Sequence, residues 1–132
     1  LTSENEVYLV NQVRYPTNIE SWELPGGNCD LDGVLAAAKR ELQEETGLVA
    51  KNWENIGWFI AMNGVCAEKT NILIARDLTE TKNDKTKEEG ITQIKKFSFG
   101  EILAMISTGE ITDGQTIASC AKAAIYLKDS LF

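Results

Sequence analysis

The chain has 132 residues, 43% hydrophobic and 25% charged, with 13 Lys and Arg against 20 Asp and Glu for a formal net charge of −7. That length holds one domain with a core and is too short for two, and the acidic excess argues against a nucleic-acid backbone as partner, since a duplex-binding surface needs a basic excess. Histidine is absent, which removes histidine bases, Ser-His-Asp triads and zinc-histidine sites, and leaves any catalysis to carboxylates, metal and basic residues.

In chain order, Val7 to Val13 is a β-rich run with apolar residues at most positions and predicts a buried strand. Pro16-Thr17-Asn18 makes a turn. Ile19 to Leu24 predicts a partner strand, with Trp22 and Leu24 pointing one way and Glu23 the other. Pro25, Gly26 and Gly27 end that strand in a turn whose backbone can approach a ligand closely, because glycine has no Cβ. From Val34 to Thr46 strong helix formers predominate, Gly47 stops the helix, and Asp32 is the expected N-cap. A strand is predicted at about Ile56–Ala61, a polar turn at Asn63-Gly64, and another strand from Lys69 to Arg76. Thr81 to Gly90 is highly charged without periodicity and reads as a loop.

Ile91 to Phe97 predicts a further strand. Ser98-Phe99-Gly100-Glu101 has the spacing of a capping box, opening a short helix with Ile102, Leu103 and Ile106 on its apolar side and Gly109 at its end. Asp113-Gly114 marks a turn before a final helix, about Gln115 to Lys128, with Ile117, Ala121, Ala124 and Ile125 expected to face inward. Helices and strands mix without regular βαβ alternation, which predicts an α/β sandwich with a mixed β-sheet between helices. No apolar run approaches the ~20 residues of a membrane span, and the polar opening from Leu1 to Glu6 is no signal peptide, so a cytoplasmic protein is expected. Cys29, Cys66 and Cys120 are odd in number and widely spaced, giving neither a disulfide framework nor a zinc pattern.

The chemistry concentrates on the helix from Val34 to Thr46. At about 100° per residue, Leu35, Ala38 and Leu42 share an apolar stripe while Glu41, Glu44 and Glu45 fan across the adjoining face. Carboxylates three and four positions apart stand roughly 5–6 Å apart at Cβ and repel, so a positive charge is expected among them. Arg40 can pair with Glu44 one turn on, leaving Glu41 and Glu45 to hold a hard divalent cation through oxygen, with magnesium the natural candidate. An acidic pair on a helix is ordinarily a solvated face. Here the paired glycines, the Arg-Glu pair, the Glu-Glu pair and the closing glycine stand in one register, which favours chemistry.

The run from Arg40 to Leu48, preceded by Gly26-Gly27, resembles the Nudix box, G-x5-E-x7-R-E-U-x-E-E-x-G-U with U a bulky aliphatic. The second half matches at every specified position. In the first half the box glutamate falls on Asp32, and the loop from Gly27 is one residue shorter than the family spacing. The resemblance implies a single Nudix domain over residues 1–132, a Nudix-like α/β/α sandwich, and hydrolysis of a nucleoside diphosphate linked to another moiety with Mg2+ or Mn2+. It implies that Glu41, Glu44 and Glu45 hold the metal with the carbonyl of Gly26, and that Arg40 orients Glu44. A further acidic residue completing the site, or serving as base, falls to Glu88 or Glu89, with Glu89 preferred.

Three further pieces resemble the ADP-ribose and ADP-sugar pyrophosphatases: Gln12-Val13-Arg14-Tyr15, Trp22 to Gly27, and Asn63-Gly64 followed by Glu68 and Ile72 to Leu78. Arg14 and Glu23 lie on strands that lead to the glycine turn, so Arg14 can offer a fork for phosphate oxygens and Glu23 an acceptor for sugar hydroxyls or amino groups, with Trp22 or Tyr15 as an aromatic face for a base. Two departures are Pro-Gly-Gly where those enzymes have Pro-Ala-Gly, and the lack of any proline after Pro25. The implied partner is a small nucleoside diphosphate derivative, with no nucleic acid and no membrane, and a homodimer is among the assemblies the resemblance allows. The rival readings are a house-cleaning enzyme for nucleoside triphosphates and a non-catalytic Nudix-like nucleotide-binding module.

Overall fold

The computed structural model describes residues 1–29, 31–81 and 90–128. Strand β1 (Glu6–Arg14) lies between β2 (Ile19–Glu23) and β5 (Ile91–Ser98), and a second sheet pairs β3 (Leu48–Phe59) with β4 (Thr70–Glu80). The α/β class holds, but where one mixed sheet was expected, the described strands form two sheets and every pairing is antiparallel. The connections explain this. β1 and β2 are joined by the tight turn after Arg14, whose carbonyl accepts from Asn18 N at 2.8 Å, and β3 and β4 form a long hairpin. Neither link is long enough for the crossover that parallel strands need.

Leu9 and Val10, adjacent on β1, are both fully buried, as a central strand covered on both faces requires. Leu9 belongs to a core cluster with Phe99, Ile102 and Met105 of α2 (Phe99–Thr108), Ile111, and Cys120 of α3 (Gly114–Tyr126). Helix α1 (Val34–Thr46) packs instead against the β3–β4 sheet. The capping box forms as predicted: the Ser98 side chain accepts from Glu101 N, while the Glu101 carboxylate accepts from Ser98 N at 2.7 Å. Gly47 and Gly109 close α1 and α2 in the left-handed conformation.

Three local expectations are corrected. Asp32 is exposed and caps nothing; Gly33 is the N-cap of α1, with no side-chain cap hydrogen bond. Leu35 is largely exposed, and the face of α1 turned inward carries Ala37 and Glu45. On α3 the buried positions are Thr116, Ser119 and Cys120, with Leu127 just beyond the helix, while Ala121 and Ile125 face out. Small side chains let α3 approach the core, so the buried stripe is not the most apolar one. Strands β3 and β4 also run well past their expected bounds, because pairing with each other extends them beyond their apolar centres.

Candidate active site

The turn after β2 is fastened from two sides. Leu24 N donates to Thr116 Oγ1 at the start of α3 at 3.1 Å, and Gly26 N donates to Glu45 Oε2 on α1 at 2.9 Å. Glu45 is only 6% exposed, so its carboxylate is held inside the protein by a backbone donor. Gly27 has a different neighbour. A Cβ built there would lie within 2.6 Å of both Glu41 carboxylate oxygens, so the second glycine makes room for Glu41 rather than for a ligand.

Among the groups Arg40 reaches from α1 are Glu41, Glu44 and the Asn28 carbonyl. Its Nη1 lies 2.7 Å from Glu41 Oε1 and 3.7 Å from Glu44 Oε2, and its Nη2 donates to the Asn28 carbonyl at 3.3 Å. The expected Arg40–Glu44 pair is therefore the looser of two, and the tighter partner is Glu41. No group of three acidic, cysteine or histidine side chains converges as a metal cluster among the described residues. Glu41 and Glu45 do share a cavity of about 430 Å3 with Gln12, Arg14, Gly26, Gly27, Asn28 and Arg40, and Glu44 does not line it.

At the end of β1 a second charged group faces the same space. The Arg14 Nε lies 3.0 and 3.1 Å from the two Glu23 carboxylate oxygens, with Nη2 2.5 Å from Oε2. Gln12 Nε2 adds a longer contact to Oε2 at 3.4 Å. The hydrogen bonds that Arg14 donates to Glu23, joined against the opposing effect of burial by the negative charges of Glu23, Asp113 and Glu45, raise the Arg14 pKa above its ordinary value. Arg14 and Glu23 also line a larger space of about 1010 Å3 that takes in Pro16, Gly26, Glu41 and Asp113 and extends into the interior past Ile74 and Cys120.

The structure thus brings together Gly26, Glu41, Glu45, Arg40 and Arg14. Glu23, expected to accept from a sugar, already accepts from Arg14 and Gln12. Trp22 lines neither cavity: it makes an edge contact with Phe97, centroids 5.1 Å apart, because alternation puts it on the face of β2 opposite Glu23. Tyr15 is almost fully exposed at the turn. Glu88 and Glu89 lie outside the described residues. Gln12 was missed as a site residue, although its spacing from Arg14 along one strand puts both on one face.

Comparison with known proteins bears on the family and the fold. The chain is 27% identical over 134 aligned positions to an ADP-ribose pyrophosphatase of Bacillus subtilis (strain 168), covering 99% of this chain and 71% of that protein. It is 28% identical to a GDP-mannose pyrophosphatase of Yersinia enterocolitica, covering 91% of this chain and 67% of the relative. A crystal structure described as an ADP compounds hydrolase superposes with a TM-score of 0.83 at 16% identity, over 96% of this chain and 68% of the other. The chain therefore spans about two thirds of the length of each. The NUDIX domain family matches residues 1–121, a span that takes in the glycine turn, α1, both sheets and the first part of α3, and the chain belongs to the Nudix family.

Proposed function

We propose that this chain is a divalent-cation-dependent pyrophosphohydrolase that cleaves the diphosphate of a nucleoside diphosphate joined to a sugar, with ADP-ribose and ADP-sugars as leading substrates. The observation that carries this reading is the position of Arg14, which lines both cavities. A diphosphate beside the α1 carboxylates would lie within reach of its guanidinium, with Pro16, Asp113 and Gln115 beyond it for the group that the diphosphate carries. The names of the relatives, ADP-ribose pyrophosphatase and GDP-mannose pyrophosphatase, point to the same substrate class.

The donor chemistry fits Mg2+ or Mn2+, since Glu41 and Glu45 offer hard oxygen ligands one helical turn apart on a shared, predominantly polar cavity. These two would hold the cation, with the Gly26 carbonyl beside them and Glu44 adding negative charge from outside the lining. The cation supplies charge neutralisation and an activated water, which a diphosphate requires because its own charge repels a nucleophile. Arg40 keeps Glu41 oriented, Gly26 N keeps Glu45 oriented, and Arg14 supplies a positive fork for phosphate oxygens. Glu89, or Glu88, as a further acidic group rests on the family resemblance. The proposed setting is the cytoplasm, with a small molecule rather than nucleic acid as partner, in keeping with the net charge of −7.

Comparing kcat/KM for ADP-ribose, a second ADP-sugar, GDP-mannose, dinucleotides and nucleoside triphosphates, each with and without magnesium, tests the reading. The expected result is metal-dependent hydrolysis with a sugar-linked diphosphate preferred. Preference for a triphosphate would replace it with a house-cleaning role, and tight binding without turnover would replace it with a nucleotide-binding module.

A further inference from the structure

Gln12, Ser21 and Glu23 lie on one face of the β1–β2 ladder, where Gln12 stands opposite Ser21 and Glu23 opposite Val10. Arg14 stands opposite Ile19, four positions along the partner strand from Glu23. To reach Glu23 the Arg14 side chain therefore folds back along the ladder past Gln12 instead of projecting off the strand end. The anchor is deep and its cargo is not: Glu23 is 5% exposed and Gln12 8%, while the Arg14 side chain is 53% exposed. Burying the guanidinium as well would add a desolvation penalty that the pairing need not repay. Here one face of the guanidinium is fixed and the remainder stays at the wall of both cavities.

Beside Gln12 the pairing of β1 with β5 is irregular, and the extra residue belongs to β5. The pairing of β1 with β5 steps from Asn11–Gln93 to Gln12–Ile91, skipping Thr92. The Thr92 hydroxyl lies 3.1 Å from the Asn11 carbonyl and 3.0 Å from the Asn11 side-chain oxygen, which locks the step. The bulge bends β5, the strand that carries the extra residue, and raises the local twist where Gln12 pairs.

We infer that Glu23 and Gln12 are positioning residues that do not touch the substrate but hold the Arg14 guanidinium at the junction of the two cavities, aimed at the diphosphate. The inference rests on the reading of this cleft as a diphosphate site, and inorganic pyrophosphate probes it without depending on which nucleotide is cleaved. Calorimetric titration of pyrophosphate in excess magnesium is carried out on the intact chain, on Glu23→Gln, on Arg14→Ala, and on the double variant. Glu23→Gln and Arg14→Ala should each weaken pyrophosphate by roughly tenfold, the scale of a lost charged fork, and the double variant should bind no more weakly than Arg14→Ala alone. Melting of Glu23→Gln is followed in parallel, and should that variant fail to fold, Gln12→Ala carries the same cycle against Arg14→Ala.

Additive losses would show that Glu23 contacts the ligand itself and would overturn the inference, as would unchanged binding in Glu23→Gln or no binding of pyrophosphate by the unaltered chain. With ADP-ribose as substrate, the same variants should raise KM with kcat changed less than about threefold, the signature of lost uniform binding. Intact non-additivity in the pyrophosphate cycle without ADP-ribose turnover would remove the proposed substrate and leave the positioning role standing.

Discussion

At Gly27 the missing side chain has a definite tenant, the carboxylate of Glu41, and the two cannot share the space. Because the obstructing atoms are the far end of a flexible side chain, Gly27→Ala should fold with a melting temperature close to that of the parent while Glu41 swings away. Hydrolysis is expected to fall by roughly tenfold or more, since the cation loses a ligand; full activity in Gly27→Ala would show that Glu41 is dispensable. Glu45→Gln keeps an acceptor for Gly26 N but removes the charge, so turnover should drop by roughly 100-fold with the fold intact, as measured by activity beside circular dichroism. Cys120 offers a check on the core. Burial raises its thiol pKa from 9.0 to about 11, so on raising the pH through that window the unfolded chain ionises first and the native state loses stability. Denaturant unfolding at pH 8 and pH 10.5 should show the parent losing about 2 kcal/mol more than Cys120→Ala.

Among the elements, the turn that carries Gly26 and Gly27 depends on α3. Thr116→Val removes the acceptor for Leu24 N, and the stranded backbone donor should cost about 1–3 kcal/mol in denaturant unfolding. Asp32→Ala should leave stability within about 0.5 kcal/mol, because Asp32 is exposed and caps nothing. The bounds of α1 were readable from residue types alone, since helix formers begin at Val34 and Gly47 supplies the left-handed stop. The Ser98–Glu101 capping box was readable for the same reason: its signal is local. The inward face of α2 was readable too, with Ile102, Leu103 and Ile106 on the core, but that of α1, and part of that of α3, was not. Glu45 is buried and Leu35 is exposed because the glycine turn, far along the chain, provides the donor and the space. In α3 the core accepts Thr116 and Ser119 where periodicity favoured Ile125, because close approach outweighs side-chain size.

For the molecule as a whole, the two sheets and their antiparallel pairing come from connection length and hydrogen bonding, which hydrophobic periodicity does not encode. The same limit hid the link between Arg14 and Glu23: both residues stood out in the sequence, but that one occupies the other follows from strand register. A bound cation stabilises only the folded chain, so magnesium at about 100 times its Kd should add about 2.7 kcal/mol and raise the melting temperature by several degrees. Scanning calorimetry with and without magnesium checks this, and Glu45→Gln should lose the shift.

Arg40, resting 2.7 Å from Glu41 and 3.7 Å from Glu44, also sets an account of ions. In formal charge, Glu41, Glu44 and Glu45 against one tethered guanidinium leave two negative charges, which one divalent cation cancels. Each further cation entering the bare protein meets less of that charge and so less Coulomb attraction. A diphosphate arrives with negative charge of its own and restores it. The number of bound cations is therefore expected to rise when pyrophosphate is added, so that the substrate's own anionic group recruits part of the metal.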